Sequence, residues 1–230
     1  MMGWAEYALA LAAFVGSHFV PRIGGLRERL IARVGRRTYF SVYGLVSVAV
    51  LIWVIVAAGR APFVELWPQL PWMRWVPNVA MPLAAVLVAA GFGIAQPHTL
   101  GGKRGAVFDP ERPGVAALSR HPLFLALALW ASAHLVANGD LAHVILFAIF
   151  AALALGAIPV FDARARRALG PDAACAFFEA SAVLSLAPLT QPAWRRENGG
   201  RLIKRAAIGL AVWAVLLGSH GAVIGVSPLP

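Results

Sequence analysis

An all-α, polytopic membrane bundle of about six transmembrane helices is the fold class this sequence predicts, and three observations predict it. Hydrophobic residues make up 60% of the 230-residue chain and only 13% are charged, whereas a soluble domain is nearer half apolar and a quarter charged. Mean hydropathy is +0.74, and several apolar runs reach the ~20 residues that cross a bilayer. The basic residues alternate between loops. The spans are read as 3–20, 39–58, 77–95, 121–137, 141–161 and 202–226, all within one domain, 1–230.

The first span has no basic residue before its apolar run, and its arginines follow it. That order suits an anchor with its N-terminus outside rather than a cleaved signal peptide. The next segment, RIGGLRERLIARVGRR at 22–37, sets Leu26, Leu30 and Ile31 among arginines, the pattern of a short helix lying on the cytoplasmic membrane face. After the second span, PFVELWPQLPWMRWVP gathers Trp67, Trp72 and Trp75 among prolines, which reads as an aromatic belt at the outer headgroups. Loop 96–119 is rich in glycine and proline and carries Lys103, Arg104, Asp109, Glu111 and Arg112; it is long for a link between neighbouring helices. Spans four and five are joined by 138–140 alone. The stretch 162–201 follows, and within it 173–186 reads as an interfacial or re-entrant helix before the last span.

Charge fixes the orientation. Arg22, Arg27, Arg29, Arg33, Arg36 and Arg37 lie in the first loop, Lys103, Arg104, Arg112 and Arg120 in the third, and eight more basic residues between Arg164 and Arg205 in and around the fifth. The second loop has only Arg60 and Arg74, and the fourth has none. The positive-inside rule therefore puts loops one, three and five in the cytoplasm and both termini outside. Net charge is +10, and its distribution points to anionic lipid rather than nucleic acid. The single cysteine, Cys175, excludes an intramolecular disulfide and any multi-cysteine metal site.

Chemistry concentrates in 119–140, SRHPLFLALALWASAHLVANGD, where polar groups stand at both ends of one apolar helix. Such groups inside a membrane usually face the bundle interior or a functional cavity. Trp130, His134 and Asn138 recur every four residues, which stacks them on one face. Neutral imidazole is an axial ligand of haem iron. By depth, His18, His98 and His121 fall at cytoplasmic ends of spans, and His134, His143 and His220 toward the outer side. His121 and His134 are about 20 Å apart along a helix, so they cannot share one iron, and depth makes His121 the rival of His134 as partner to His18. The Arg120-His121-Pro122 start has a second reading. Proline suits the first turn of a helix, the free N–H groups there attract anions, and Arg120 adds a fixed charge. A phosphate or the carboxylate of S-adenosylmethionine fits such an end, as does a plain capped helix start. The sequence has no HExxH, P-loop or GxGxxG motif that would point to hydrolysis or nucleotide chemistry.

Two stretches, FVGSHFVPRIGGLRERLIARVGRRTYFSVYGLVS and SRHPLFLALALWASAHLVANGDLAHVILF, carry a family likeness. The chain resembles the NnrU family of bacterial membrane proteins over about its first 190 residues, with span 202–226 beyond. That resemblance implies an inner-membrane protein linked to nitrite and nitric oxide metabolism in denitrifying bacteria. The family's plant relative, 15-cis-zeta-carotene isomerase, implies a b-type haem and redox-switched isomerisation of a lipophilic polyene. Its haem histidines correspond here to His18 and His134, and the cysteine it carries three residues before the second histidine is Ala131 here. A more distant similarity is to isoprenylcysteine and phospholipid methyltransferases, through His98-Thr99-Leu100, Gly114, Arg120-His121-Pro122 and Leu169-Gly170, with Asp162 nearest to their acidic position. It implies an S-adenosylmethionine-dependent enzyme acting on a lipid or prenyl substrate. A third reading is a non-enzymatic factor that helps assemble a respiratory reductase.

Overall fold

A computed structural model describes residues 2–230. They form nine α-helices: α1 (Met2–Phe19), α2 (Leu26–Val34), α3 (Arg36–Arg60), α4 (Trp75–Gly91), α5 (Pro122–Ala137), α6 (Leu141–Leu169), α7 (Pro171–Ala180), α8 (Ala187–Thr190) and α9 (Pro192–Ile224). The only strand-like pairing among the described residues is one isolated bridge, Glu65 to Asp140. The all-α, multi-pass character expected from composition holds. Four segments are long and apolar enough to cross a membrane: Arg36–Arg60, Pro71–Gly91, Leu141–Leu169 and Pro192–Ile224. A fifth is added if α1 and α2, bent by 77° at their junction, form one broken span. Helix α5 is shorter, with 16 residues.

Two helices run well past the hydropathy-based limits, while α4 stops at Gly91, short of 95. Helix α6 runs eight residues past 161 and α9 starts ten residues before 202. Arg164, Arg166 and Arg167 on α6, and Arg195, Arg196 and Arg201 on α9, are good helix formers that hydropathy discards. The helix therefore continues where the apolar run stops. Segment 173–186 is helical only within α7, which ends at Ala180.

Two compact units emerge from the chain, one made of residues up to Pro68 with Gly139–Leu146, the other of Gln69–Asn138 with Phe147–Pro230. In the first, α1 packs on α3. The Tyr43 hydroxyl donates to the Ser17 carbonyl at 3.2 Å, and the Tyr7 hydroxyl to the Ala142 carbonyl at 2.8 Å. Gly139 lies tight against the Trp67 carbonyl, and Leu66 N–H donates to Gly139 O at 2.7 Å.

In the second unit α4 packs against α5 and α9. Small residues allow it: Ala80, Ala84, Ala90, Ala126, Ala128, Ala131 and Ala133 are all buried. Gly91 abuts Pro122, and Gly209 abuts the Ala85 backbone. Close backbone approach through small residues is the normal source of cohesion in a bilayer, where apolar burial drives little. Arg205 adds a polar tie, its Nη1 donating to the carbonyls of Ala90 and Phe92 at 2.6 and 2.8 Å. These are the free carbonyls at the C-terminus of α4, where a cation is favoured. The large aliphatics point the other way: Val79, Leu83 and Val215 are 63%, 57% and 70% exposed. Small residues inside and large ones outside is the arrangement of helices solvated by lipid.

Candidate functional site

The entrance of α5 holds the densest set of buried polar groups. Pro122 occupies the first turn, and His121 immediately before it has φ −131°, ψ 50°. Its N–H is capped by the Ser119 hydroxyl at 3.2 Å. The segment 116–120 is held by a ladder to the chain after α7: Ala182 N–H donates to Ala116 O, Ser185 N–H to Leu118 O, and Arg120 N–H to Ala182 O. That ladder fixes where the Arg120 and His121 side chains point.

Both meet Asp162, the carboxylate of α6. Arg120 grips it in fork geometry, Nε to Oδ1 at 2.9 Å and Nη2 to Oδ2 at 2.7 Å. Its Nη1 donates to the Ser181 carbonyl at 3.3 Å, and the guanidinium lies 5.0 Å from the Phe178 ring centroid. His121, 1% exposed, places Nε2 2.8 Å from Asp162 Oδ1 and Nδ1 3.0 Å from the Thr99 hydroxyl. In the neutral ring these contacts assign the proton to Nε2, which donates to the carboxylate, while Nδ1 accepts from Thr99. Phe124 and Phe161 flank the imidazole. Gln96 donates through Nε2 to Arg120 O at 2.9 Å, and its buried Oε1 has no hydrogen-bond partner among the described residues.

The sequence marked Arg120 and His121 as a cationic helix start open to an anion. In the fold the fork edge of Arg120 is occupied by Asp162, so an anion binding there must displace a bidentate carboxylate. Asp162 is the partner that sequence reasoning underweighted. Its signal was present: a lone carboxylate at the end of a long apolar helix calls for a fixed cation.

His134 sits on the other end of α5. Its Nδ1 lies 2.8 Å from the Trp130 carbonyl, one turn back. Its ring packs beside Trp130 and Phe147, with centroids 5.6 and 5.3 Å away. Asn138 does not continue the Trp130–His134 face as the spacing predicts. Its backbone is extended (φ −112°, ψ 103°), so it lies past the last helical turn, and its Nδ2 donates to His134 O at 2.8 Å. Asn138 is the C-terminal cap of α5.

In the first unit His18 repeats the local geometry of His134. Its Nδ1 lies 2.8 Å from the Phe14 carbonyl, one turn back, and the Phe14 ring is 4.8 Å away. In both histidines the Nδ1–H donates to a backbone carbonyl, which leaves Nε2 with its lone pair. No hydrogen bond to either Nε2 is found among the described residues. The remaining histidines are engaged differently. His98 meets Phe177 edge-on, and burial pulls its pKa below the ordinary value. His143 pairs with Asp140 at 2.9 Å, and His220 Nδ1 meets Val226 O at 2.9 Å.

The described residues of the second unit form a polar and an apolar surface recess. One, of about 440 Å³, is polar and includes Glu111, Arg112, Glu179, Trp194 and Asn198 in its lining. The other, of about 620 Å³, is apolar and runs along Trp72, Trp75, Val79, Leu83 and Leu129. Neither is lined by a histidine. Among the described residues no group of three or more His, Cys, Asp or Glu side chains is arranged to hold a metal ion, whereas haem iron asks the protein for only one or two axial ligands.

The model of the family described as NnrU protein matches residues 6–228. The chain belongs to the NnrU family. The match continues past residue 190 and takes in most of α9, so the C-terminal helix is part of what makes this an NnrU protein. No curated protein matches the chain, and no solved structure matches it.

Proposed function

We propose that this NnrU protein is a haem b-binding protein of the bacterial inner membrane, acting in redox or nitrogen-oxide metabolism. The observation that carries the reading is the shared geometry of His18 and His134. A metal-bound histidine almost always donates its other ring N–H to a carbonyl or carboxylate, which fixes tautomer and ring plane. Each of the two has such a carbonyl one turn back and an adjacent aromatic ring. The donor chemistry therefore fits an axial ligand at either position. A bound haem b supplies a one-electron redox centre. The chain's part is to hold each imidazole in its Nε2-basic form with an aromatic ring beside it. The methyltransferase alternative relies on Arg120 as an anion anchor, and that guanidinium is engaged by Asp162; the haem reading is preferred for this reason.

The test is the visible spectrum of the detergent-purified chain, expressed with haem supplied, air-oxidised and then reduced with dithionite. The expected result is a Soret band that shifts on reduction. Whichever of His134→Ala and His18→Ala removes the axial ligand is expected to shift or abolish it, whereas His98→Ala leaves it unchanged. A flat spectrum from the parent chain would falsify the haem reading.

We further propose six spans with both termini outside, α1 and the short α5 completing the set. The arginines of α2 and of the α6 C-terminus then face the cytoplasm, in agreement with the positive-inside rule. Reporter fusions check it. Alkaline phosphatase inserted at 138–140 is expected to be active and the same enzyme inserted at 103–105 inactive; the opposite pattern overturns the orientation.

A further inference from the structure

We propose that the elbow formed by α2 and the start of α3 is a binding site for the phosphate of an anionic phospholipid, with Arg27 and Arg36 as its cationic arms. This inference is independent of haem and rests only on the chain lying in a membrane. The elbow is made by Gly35, whose φ 82°, ψ 153° no residue with a side chain adopts readily. It is the single residue between α2 and α3. The sharp turn brings Arg27 and Arg36, nine positions apart, onto one ring: each guanidinium carbon lies 5.2 Å from the centroid of Phe40.

Stacking on an aromatic face directs a guanidinium's N–H donors outward along its edges. Two guanidiniums held at one ring offer such donor edges, and the non-bridging oxygens of a phosphodiester accept them. The charge is also unbalanced. Arg27, Arg29, Arg33, Arg36 and Arg37 share the elbow with one acid, Glu28, and no ion pair joins any of the five to a carboxylate among the described residues. Like charges gathered this closely repel one another unless an anion lies between them.

The source of the phosphate follows from the neighbouring apolar surface. Leu26, Leu30 and Val34 recur every fourth residue along α2 and are 38%, 37% and 50% exposed. Helix α2 buries none of its residues in the protein. Its 77° bend from α1 lays it along the bilayer plane when α1 stands upright. In that pose the aliphatic row enters the acyl region while the arginines reach the phosphates, as interfacial helices do. A free phosphate ion has no use for that row; a lipid uses both halves.

The experiment uses the full chain in phosphatidylcholine nanodiscs titrated with phosphatidylglycerol, with retained lipid read by native mass spectrometry. The parent is expected to retain phosphatidylglycerol over phosphatidylcholine. The double variant Arg27→Gln/Arg36→Gln is expected to lower that preference about 25-fold, at about fivefold per basic residue near the headgroups. Phe40→Leu keeps every charge and removes the platform; a drop of about threefold is expected. Arg195→Gln/Arg196→Gln removes the same charge from α9 and is expected to lower the preference by clearly less. Should an elbow variant lose its monodisperse elution, Arg27→Lys/Arg36→Lys replaces it, keeping charge without the fork, with an intermediate drop expected. Equal loss in the α9 control, or no loss in Phe40→Leu, would mean a diffuse charge effect and overturn the site. Displacement of the lipid by millimolar inorganic phosphate would show a free-anion site and overturn the lipid assignment.

Discussion

Asp162→Ala is expected to unfold the end of the second unit around the start of α5 at markedly lower temperature than the parent, with a loss of about 3–5 kcal/mol. Only 12% of the Arg120 side chain and 17% of Asp162 are exposed, so removing the carboxylate strands a cation that water cannot fully solvate. The same change orphans Nε2–H of His121, a group with 1% exposure. His121→Ala is expected to cost less, about 1–3 kcal/mol, because it removes a neutral donor from a carboxylate that Arg120 still neutralises. The double variant Arg120→Met/Asp162→Leu is expected to lie closer to the parent than Asp162→Ala does, since no charge is left uncompensated. Thermal unfolding in detergent, read as a double-mutant cycle, measures the coupling directly. If Asp162→Ala melts with the parent, Arg120 has another partner and the tie is not what holds α5 to α6.

The second large effect is steric. A Cβ on Gly209 would stand 2.7 Å from the Ala85 carbonyl oxygen and 2.9 Å from the Val86 Cα. Both are backbone atoms of α4, which cannot rotate away, so the helices must separate. Gly209→Ala is expected to cost about 1–3 kcal/mol, and Gly209→Leu more, because the wider gap also pulls Arg205 from the α4 carbonyls. Gly218, further along the same helix, has nothing within 4 Å of a built Cβ. Gly218→Ala is expected to raise helix stability by up to about 1 kcal/mol. Melting temperatures for the three variants check the contrast. A Gly209→Leu protein as stable as the parent would mean that α4 and α9 do not touch there.

Much of the fold was legible because a bilayer writes its demands into composition. The apolar runs behind α3, α4, α6 and α9 need no partner to be recognised. Helix ends were hidden, because Arg164 or Arg196 looks like a loop by hydropathy and behaves as a helix former by propensity. The site was half legible. Arg120 and His121 announced themselves as polar residues at an apolar helix start. Their links to Asp162 span 42 and 41 positions of chain, and no local pattern encodes a contact at that separation. Asn138 misled for a local reason. A four-residue period continues a helical face only while the backbone stays helical, and asparagine is also a residue that ends helices. The histidine geometry could not be read either: Phe14 and Trp130 offer backbone carbonyls, and every residue has one.

Helix α5 bears on the membrane itself. Its 16 residues rise about 24 Å, some 6 Å less than a typical hydrocarbon core. On the six-span proposal such a short span cannot correct this by tilting, since tilt shortens its reach further, so local thinning of the bilayer would be one way to accommodate it. Headgroups would then be drawn inward toward the end where Arg120 and Asp162 stand. Such a dimple favours thin, disordered patches of bilayer over thick ones. The protein is thus expected to sort laterally by thickness, with the length of one alanine-rich helix as the gauge.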